Sequence, residues 1–206
     1  MRTLVIDSAT EACSAALFED EALLAGTLEI LGRGHAERLV PMISELPDKG
    51  RAERVVVSLG PGSFTGVRIG LAAARALGLA WKAEVLGYPT LALIAAMARR
   101  SHSGPVTVCM TGGHGEWFVQ DFGADGLPEG DLASLPPAEA ARHGMHQVVA
   151  GSQATKKAEL AGEGNVALDI LPDAREFLML PDALLTADLA PLYGRPPDAR
   201  LPASAR

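Results

Sequence analysis

The first thirty residues contain three apolar blocks separated by short polar turns. Residues 3–6 are rich in β-branched and apolar side chains, which is typical of a strand covered on both faces. A second block at 13–18 follows a polar turn, and an acidic turn at 19–21 leads into a third block at 22–30. Short apolar runs joined by tight turns favour a β-meander. The chain is therefore predicted to open with three neighbouring antiparallel strands.

The next part of the chain predicts helices that alternate with a buried strand. Apolar residues recur at helical spacing at Leu39, Met42, Ile43 and Leu46. Pro41 lies within this helix and predicts a kink or a late start, because proline removes a backbone hydrogen bond. A strand is predicted at 54–59, followed by helices at about 67–82 and 90–100, the second of them capped by Thr90.

The second half starts again with strands. The polar segment at 101–105 is rich in helix breakers and is the candidate domain boundary. Strands at 106–110 and 116–122 predict a hairpin, after which helices and strands alternate at about 137–143, 147–150, 153–161 and 166–170, with further helices up to Leu189. Such alternation predicts mostly parallel sheets flanked by helices. We expect an N-terminal subdomain at 1–102 and a reduced C-terminal subdomain at 103–206 with a mobile tail.

The composition excludes several classes of protein. Of 206 residues, 48% are hydrophobic and 21% charged, which suits a protein with a buried core. Acidic residues outnumber basic ones 25 to 18, so a chain of net charge −7 is not expected to bind nucleic acid by itself. Cys13 and Cys109 are too few for a disulfide framework or a four-thiolate zinc site. No stretch has the roughly 20 apolar residues of a membrane span, and Asp7 interrupts any signal-peptide core. We therefore expect a soluble, cytoplasmic protein.

The glycine-rich segment at 60–66 is the strongest local signal for ligand chemistry. Glycines after a strand allow close backbone approach, and the following helix offers free N–H groups to an anion. The segment lacks the lysine of a Walker loop and the spacing of a dinucleotide-binding loop. Asp7, Ser8 and Thr10 would suit a hydrated metal and a phosphate. A tight turn explains the glycine-rich segment equally well without a ligand, and capping of a turn explains Asp7 better than a ligand site does.

Small residues recur every four positions along the helix that follows. Gly66, Gly70, Ala74 and Gly78 share one face. Glycine within a helix costs about 1 kcal/mol relative to alanine, so these glycines indicate the close approach of another backbone. That backbone belongs either to a partner protein or to the same monomer. If it belongs to a partner, we expect Gly70→Phe to abolish association without unfolding the chain.

Other candidate sites are weaker. The five histidines lack the spacing of a metal site, and His143 and His146 flank a glycine at a helix end, which favours surface positions. A second glycine-rich loop at 111–116 suits either a ligand contact or the entry to a hairpin.

Three strings of residues resemble the TsaB (YeaZ) family. They are IDSATEACSAAL near the N-terminus, GHAERLVPMI at 34–43 and SLGPGSFTGVRIGLAAARALGLA at 58–80. The string GPGSFTGVRIG is the most specific of them. The resemblance covers about the first hundred residues well and is thinner beyond, where Thr111, Gly112 and Gly113 replace the family's usual Asp-Ala-Arg run.

The resemblance implies a fold and a function. The fold is the actin-like ATPase (ASKHA, ribonuclease H-like) α/β fold, with two related halves of which the second is shortened. The function is that of a non-catalytic cytoplasmic scaffold subunit for making threonylcarbamoyladenosine beside the tRNA anticodon. Such a subunit pairs with a TsaD-like paralogue, recruits a TsaE-like ATPase, self-associates as a homodimer and meets tRNA only within the complex. ATP and metal then reside on the partners, and this chain holds no cofactor. A small ATP-dependent phosphotransferase of the same fold is the alternative.

The resemblance also assigns sites. The partner interface is predicted at His35, Leu39, Met42, Ile43, Gly66, Arg68, Ile69, Gly70, Ala73, Ala74, Leu77 and Gly78. A vestigial nucleotide-binding site is predicted at Asp7, Ser8, Thr10, Gly60, Gly62 and Ser63. No catalytic residue and no metal ligand is expected.

Overall fold

A computed structural model describes residues 1–162 and 164–194 of the chain. The predicted mobile tail, with Arg195, Arg200 and Arg206, lies outside the described residues. The strands are β1 (Arg2–Asp7), β2 (Ala12–Glu19), β3 (Ala22–Ile30), β4 (Arg54–Ser58), β5 (Glu84–Tyr88), β6 (Val106–Thr111), β7 (Trp117–Phe122), β8 (Ala133–Leu135), β9 (Val148–Ala150) and β10 (Val166–Leu168). The helices are α1 (His35–Ser44), α2 (Phe64–Trp81), α3 (Thr90–Ala98), α4 (Pro137–Ala140) and α5 (Ala154–Ala161).

The strands form two five-stranded sheets with the same connectivity. The first sheet has the order β3-β2-β1-β4-β5 and the second the order β8-β7-β6-β9-β10. In each sheet the first three strands form an antiparallel meander, and the last two run parallel to the first. The prediction of two related α/β halves is therefore confirmed. None of the described helices is long and apolar enough to span a bilayer.

Helix α3 lies between the two sheets and is apolar on all sides. Residues 91–96 are at most 1% exposed. The cluster in which they pack includes Val5 and Val56 from the first sheet and Val108 and Phe118 from the second. A helix that is hydrophobic around its whole circumference requires such a buried position. The burial of α3 thus joins the two halves through one continuous core.

The observed elements differ from the predicted ones in the short strands and near the C-terminus. Strands β5 and β8 were missed, because β5 starts with an exposed glutamate and β8 has only three residues. The helices expected up to Leu189 are instead 3-10 turns at Ala174–Met179 and Asp182–Leu184. Pro181 lies between these turns and prevents one continuous helix across both, because proline cannot donate the backbone hydrogen bond.

Two predicted helix starts are also corrected. Helix α1 begins at His35 and tolerates Pro41 in its interior, so its start is not delayed. The N-cap of α3 is Pro89 rather than Thr90, which is the first helical residue. The Thr90 hydroxyl instead forms a buried hydrogen bond of 2.6 Å with the Ser58 hydroxyl. It therefore links α3 to the end of β4 and does not cap the helix.

The small-residue face of α2 packs against the sheet of its own monomer. A Cβ atom added at Gly66 would lie 2.1 Å from the carbonyl oxygen of Ser8, and one added at Gly78 would lie 2.3 Å from a methyl group of Val85. Ala74, between them, is fully buried. The lack of side chains is therefore what allows α2 to approach the first sheet. These three residues therefore have a packing role within the monomer, and their contact with a partner stays a prediction.

Gly70, at the centre of the helix, also packs within the monomer. A Cβ atom at Gly70 would lie 2.6 Å from the Ser8 hydroxyl oxygen and 3.4 Å from a Val57 methyl carbon. Gly70→Phe would therefore destabilise the monomer itself, contrary to the expectation of a selective loss of association. Ile69 and Ala73 are half-buried at the side of this face.

Gly66→Ala is expected to destabilise the chain, even though alanine favours a helix by about 1 kcal/mol. The added methyl group would overlap the backbone of Ser8, which has no rotamer by which to move away. We expect the free energy of unfolding to fall by at least about 2 kcal/mol in a urea titration. Gly104→Ala is the matched control, because a Cβ atom there meets nothing within 4 Å. Equal unfolding midpoints for the two variants would contradict this packing.

Candidate functional site

Asp7 ends β1 in a position sealed from solvent. Its carboxylate accepts hydrogen bonds from the Tyr88 hydroxyl at 2.8 Å and from the Ala9 N–H at 3.0 Å, and the residue is 0% exposed. Burial raises the pKa of this carboxyl from 3.8 to about 6, although both hydrogen bonds favour the charged form. Asp7 was predicted to belong to a nucleotide site, but its bonds are directed into the interior of the first half.

The loop before α2 packs onto the turn that follows Asp7. The Ser63 N–H donates to the Ala9 carbonyl at 2.6 Å, and the Ser8 hydroxyl donates to the Gly66 carbonyl at 2.9 Å. A Cβ atom at Gly62 would lie 2.1 Å from the Ala9 carbonyl oxygen. Loop and turn are thus in direct backbone contact and form one continuous wall.

A cleft of about 800 Å³ lies between this wall and the second half of the molecule. The first half contributes Ala9, Thr10, Glu11, Gly32, Gly62, Ser63, Phe64, Val67 and Arg68, and the second half contributes Thr111, Gly112, Gly113, His114 and Phe118. The glycine-rich loop after β6 therefore lies across the cleft from the turn after β1. Of the predicted nucleotide-binding residues, Thr10, Gly62 and Ser63 line the cleft, whereas Asp7, Ser8 and Gly60 do not.

The hydroxyl groups that line the cleft are engaged within the protein. The Thr10 hydroxyl oxygen accepts the Ala12 N–H at 3.1 Å, and that of Ser63 accepts the Gly66 N–H at 3.2 Å. The Thr111 hydroxyl oxygen accepts the Gln153 side-chain amide at 2.7 Å. Among the described residues, no group of three or more His, Cys, Asp or Glu side chains is placed to hold a metal ion.

The C-terminal segment 189–194 closes one side of the cleft. The Leu192 N–H donates to the Leu59 carbonyl at 2.8 Å. The Tyr193 ring lies 5.8 Å from the Phe64 ring, and the Arg68 guanidinium lies 3.5 Å from the centre of the Phe64 ring. Arg68 also donates to the Tyr193 hydroxyl at 3.0 Å. Sequence analysis missed Phe64 and Tyr193, because no periodicity links residues so far apart in the chain.

The α1 residues predicted to contact a partner lie inside the monomer. His35, Leu39, Met42 and Ile43 are all buried, the last three in the core of the first half. This face of α1 packs on β2, and the His35 ring nitrogen lies 3.4 Å from the Ala12 carbonyl oxygen. The helical periodicity that identified these four residues marks the side of α1 that faces the core, and their contact with a partner stays a prediction.

The opposite sides of α1 and α2 are exposed and mostly apolar. Val40 is 58% exposed and Leu79 is 84% exposed. We define the α1–α2 face as Ala36, Val40, Ile69, Ala72, Ala73, Ala76, Leu79 and Ala80, of which Ile69 and Ala73 are half-buried and the others exposed. Of the other predicted interface residues, Leu77 is half-buried and Arg68 is exposed. Small side chains permit close helix packing, and a contiguous exposed apolar area is typical of an interaction site.

Comparisons with known proteins relate this architecture to a family. The profile described as TsaD, tRNA N6-adenosine threonylcarbamoyltransferase, matches residues 29–127. The tRNA threonylcarbamoyladenosine biosynthesis protein TsaB of Escherichia coli is 37% identical over 131 residues, which cover 61% of this chain and 56% of the relative. TsaB of Bacillus subtilis is 34% identical over 90 residues, covering 41% and 38%. The chain spans about half the length of the curated relatives it matches.

The solved structure of YeaZ from Pseudomonas aeruginosa extends the match to both halves. It superposes with a TM-score of 0.76 at 28% identity and covers 93% of this chain and 99% of that one. The chain is similar to the TsaB/YeaZ family in both sequence and fold. The resemblance predicted from the three strings is thereby confirmed. EutJ from Carboxydothermus hydrogenoformans shares the fold alone. It superposes with a TM-score of 0.52 at 11% identity, over 88% of this chain and 90% of that one. The predicted actin-like α/β fold is confirmed.

The buried carboxyl of Asp7 predicts a pH dependence of stability. Its folded-state pKa of about 6 exceeds the ordinary value of 3.8, so the folded state binds this proton more tightly than the unfolded chain does. The contribution of Asp7 to the free energy of unfolding therefore falls as the pH rises from about 4 to 6. A difference of about two pKa units corresponds to roughly 3 kcal/mol. Asp7→Asn lacks this titratable carboxyl and its pH-dependent contribution to the free energy of unfolding. The variant therefore gains stability relative to the wild type as the pH rises over that interval.

Urea unfolding at several pH values between about 4 and 7 measures this difference. Asp131→Asn, which removes an exposed carboxylate of the second half, is the matched control. If the free energies of unfolding of the wild type and of Asp7→Asn differ by the same amount at every pH in the interval, Asp7 does not titrate in this way.

Proposed function

We propose that this chain is a scaffold subunit in the biosynthesis of threonylcarbamoyladenosine in tRNA. The relatives from Escherichia coli and Bacillus subtilis are named for that process. The observation that carries the scaffold role is the uncovered α1–α2 face. Helix α2 uses its glycines to pack on its own sheet, and this leaves alanines and Leu79 directed outward, where no element of residues 1–162 and 164–194 covers them.

The partner that we propose for this face is a TsaD-like paralogue. The TsaD profile matches a segment of this chain that contains α1 and α2, so a paralogue would present a comparable helix pair. Two such pairs can pack as a four-helix bundle, in which small residues bring the helix axes to about 8–10 Å. Burial of apolar area at about 25 cal/mol per Å² supplies the driving force. Recruitment of a TsaE-like ATPase and self-association as a homodimer belong to the same proposal.

A scaffold role agrees with the chemistry of the cleft. Phosphoryl transfer needs a metal held by carboxylates and donors directed at the phosphates. Here Asp7 is sealed by Tyr88, and the hydroxyls of Thr10, Ser63 and Thr111 are engaged in internal hydrogen bonds. We propose that ATP and metal act on the partner subunits, that tRNA is contacted only through the complex, and that the complex is cytoplasmic. The boundary of the two subdomains near residue 102 is part of this proposal.

One observation favours the alternative, a small ATP-dependent phosphotransferase. The cleft is large enough for a small molecule, since ligand sites usually measure about 300–1,000 Å³. Glycine-rich backbone lines it from both halves. Binding and turnover of ATP by the isolated chain distinguish the two functions.

Leu79→Glu is expected to weaken association with the TsaD-like protein at least tenfold, by about 1.4 kcal/mol or more, because it places a charge in an apolar interface. Calorimetric titration of one purified protein into the other measures the affinity. Leu160→Glu is the matched control, since Leu160 is also an exposed leucine on a helix, at 59%, but on α5 in the second half. Both variants should keep the wild-type melting temperature. Unchanged affinity for Leu79→Glu would remove the α1–α2 face from the interface.

The isolated chain is expected to bind Mg-ATP no more tightly than about 1 mM and to release no phosphate from it. The reason is that Asp7 is sealed by Tyr88, and that among the described residues no group of three or more His, Cys, Asp or Glu side chains is placed to hold the metal that phosphoryl transfer needs. Calorimetry and a phosphate-release assay on the same preparation measure both quantities. Micromolar affinity together with steady phosphate release would support the phosphotransferase instead.

A further inference from the structure

Two arginines follow one edge of the α1–α2 face. Arg68 and Arg75 are both exposed, and they are seven residues apart on α2. Seven residues are close to two helical turns, so both side chains emerge on the same side, about 10 Å apart along the axis. Leu79 continues this edge one turn further on.

Neither guanidinium is paired with a carboxylate among the described residues. Arg68 donates to the Tyr193 hydroxyl at 3.0 Å, and Arg75 donates to the Leu189 carbonyl at 3.1 Å. Ion pairs are instead formed by Arg2, Arg38, Arg54, Arg100 and Arg175. Helix α2 contains no acidic residue. This edge is therefore a positive strip on a chain whose net charge is −7.

Both arginines are held in place by neutral groups. The Arg68 guanidinium lies 3.5 Å from the centre of the Phe64 ring and 6.0 Å from that of the Tyr193 ring. A guanidinium has five N–H donors, so one hydrogen bond to a phenol leaves most of them available. An ordered side chain also loses less entropy when a partner binds. The segment at 189–194 thus orients both charges without neutralising them.

We propose that the partner on the α1–α2 face presents carboxylates to Arg68 and Arg75, beside an apolar helix that packs on Ala72 and Ala76. This inference rests on the proposed function and adds the chemistry of the partner surface. A partner helix with acidic residues seven positions apart matches the spacing of the two arginines. In a homodimer that packed α2 against α2, arginine would lie opposite arginine, so we expect an acidic partner to bind this face more tightly than a second copy does.

Charges at the edge of an interface act mainly on the rate of association and on its salt dependence. The association rate of the wild-type chain with the TsaD-like protein is thus expected to fall as salt is added. Replacing both arginines by glutamate would place negative charges opposite the proposed carboxylates. The variant should then associate slowly at low salt and faster at high salt, where the repulsion is screened.

The experiment measures association and dissociation rates with the purified TsaD-like protein from the same organism at low and high salt. We expect Arg68→Glu combined with Arg75→Glu to slow association at low salt by at least about tenfold. Arg68→Gln combined with Arg75→Gln, which removes charge without reversing it, should give an intermediate rate with little salt dependence. Arg142→Glu is the matched control, because it makes the same change of charge at an exposed position of the second half. Its rate should stay within about twofold of the wild type.

The outcomes separate this inference from the function on which it rests. Suppose that the double glutamate variant keeps the wild-type melting temperature and associates at the rate of Arg142→Glu, while Leu79→Glu abolishes binding. The α1–α2 face is then supported as the interface, and the acidic partner is refuted. If the wild-type chain does not bind the TsaD-like protein at any salt concentration, the proposed function is refuted, and this inference with it. If the two glutamate substitutions unfold the chain, the variant with two glutamines tests the inference instead. An association rate that depends on salt as strongly in that variant as in the wild type would overturn the inference.

Discussion

The backbone contact between the turn after β1 and the start of α2 determines where each functional surface lies. Gly62 and Gly66 allow the carbonyl groups of Ala9 and Ser8 to lie where a side chain would otherwise be. The contact fixes the rotation of α2 about its axis, so the glycine face is directed inward and the alanine face outward. It also forms the first wall of the cleft. This one backbone contact thus separates the interior, the cleft and the α1–α2 face that we propose as the partner surface.

Much of the fold could be predicted from the sequence. The first strands have long apolar blocks, and β3 was predicted with its observed bounds, Ala22–Ile30. The glycines of α2 correctly predicted the close approach of another backbone. The spacing of the glycines shows that one face of α2 has small side chains. It does not show which part of the protein, or of a partner, packs against that face. The observed neighbour, Ser8, is supplied only by the folded sheet.

The candidate site shows the same limit. A carboxylate after a buried strand is typical of a ligand site, yet Asp7 is sealed by Tyr88, which lies 81 positions further along the chain. Arg68 was predicted as an interface residue from the family resemblance, but the aromatic rings of Phe64 and Tyr193 that order it were not. The apolar residues of α1 were assigned to a partner, although the strongest helical periodicity marks the side that faces the core. The exposed residues of α1 lie on the other side of the helix and are Ala36, Glu37, Val40, Pro41 and Ser44.

The central claim is that α2 directs Ala74 into the monomer and Ala76 toward a partner. Thiol labelling of Ala74→Cys and Ala76→Cys tests it most directly, because the native Cys13 and Cys109 are both buried and give little background. In the folded chain the thiol of Ala76→Cys should react with a maleimide rapidly, and it should become protected when the TsaD-like protein is added. The thiol of Ala74→Cys should react slowly in both conditions. Rapid labelling of Ala74→Cys in a chain of native stability, with protection by the partner, would contradict the account, because the glycine face would then be the partner surface.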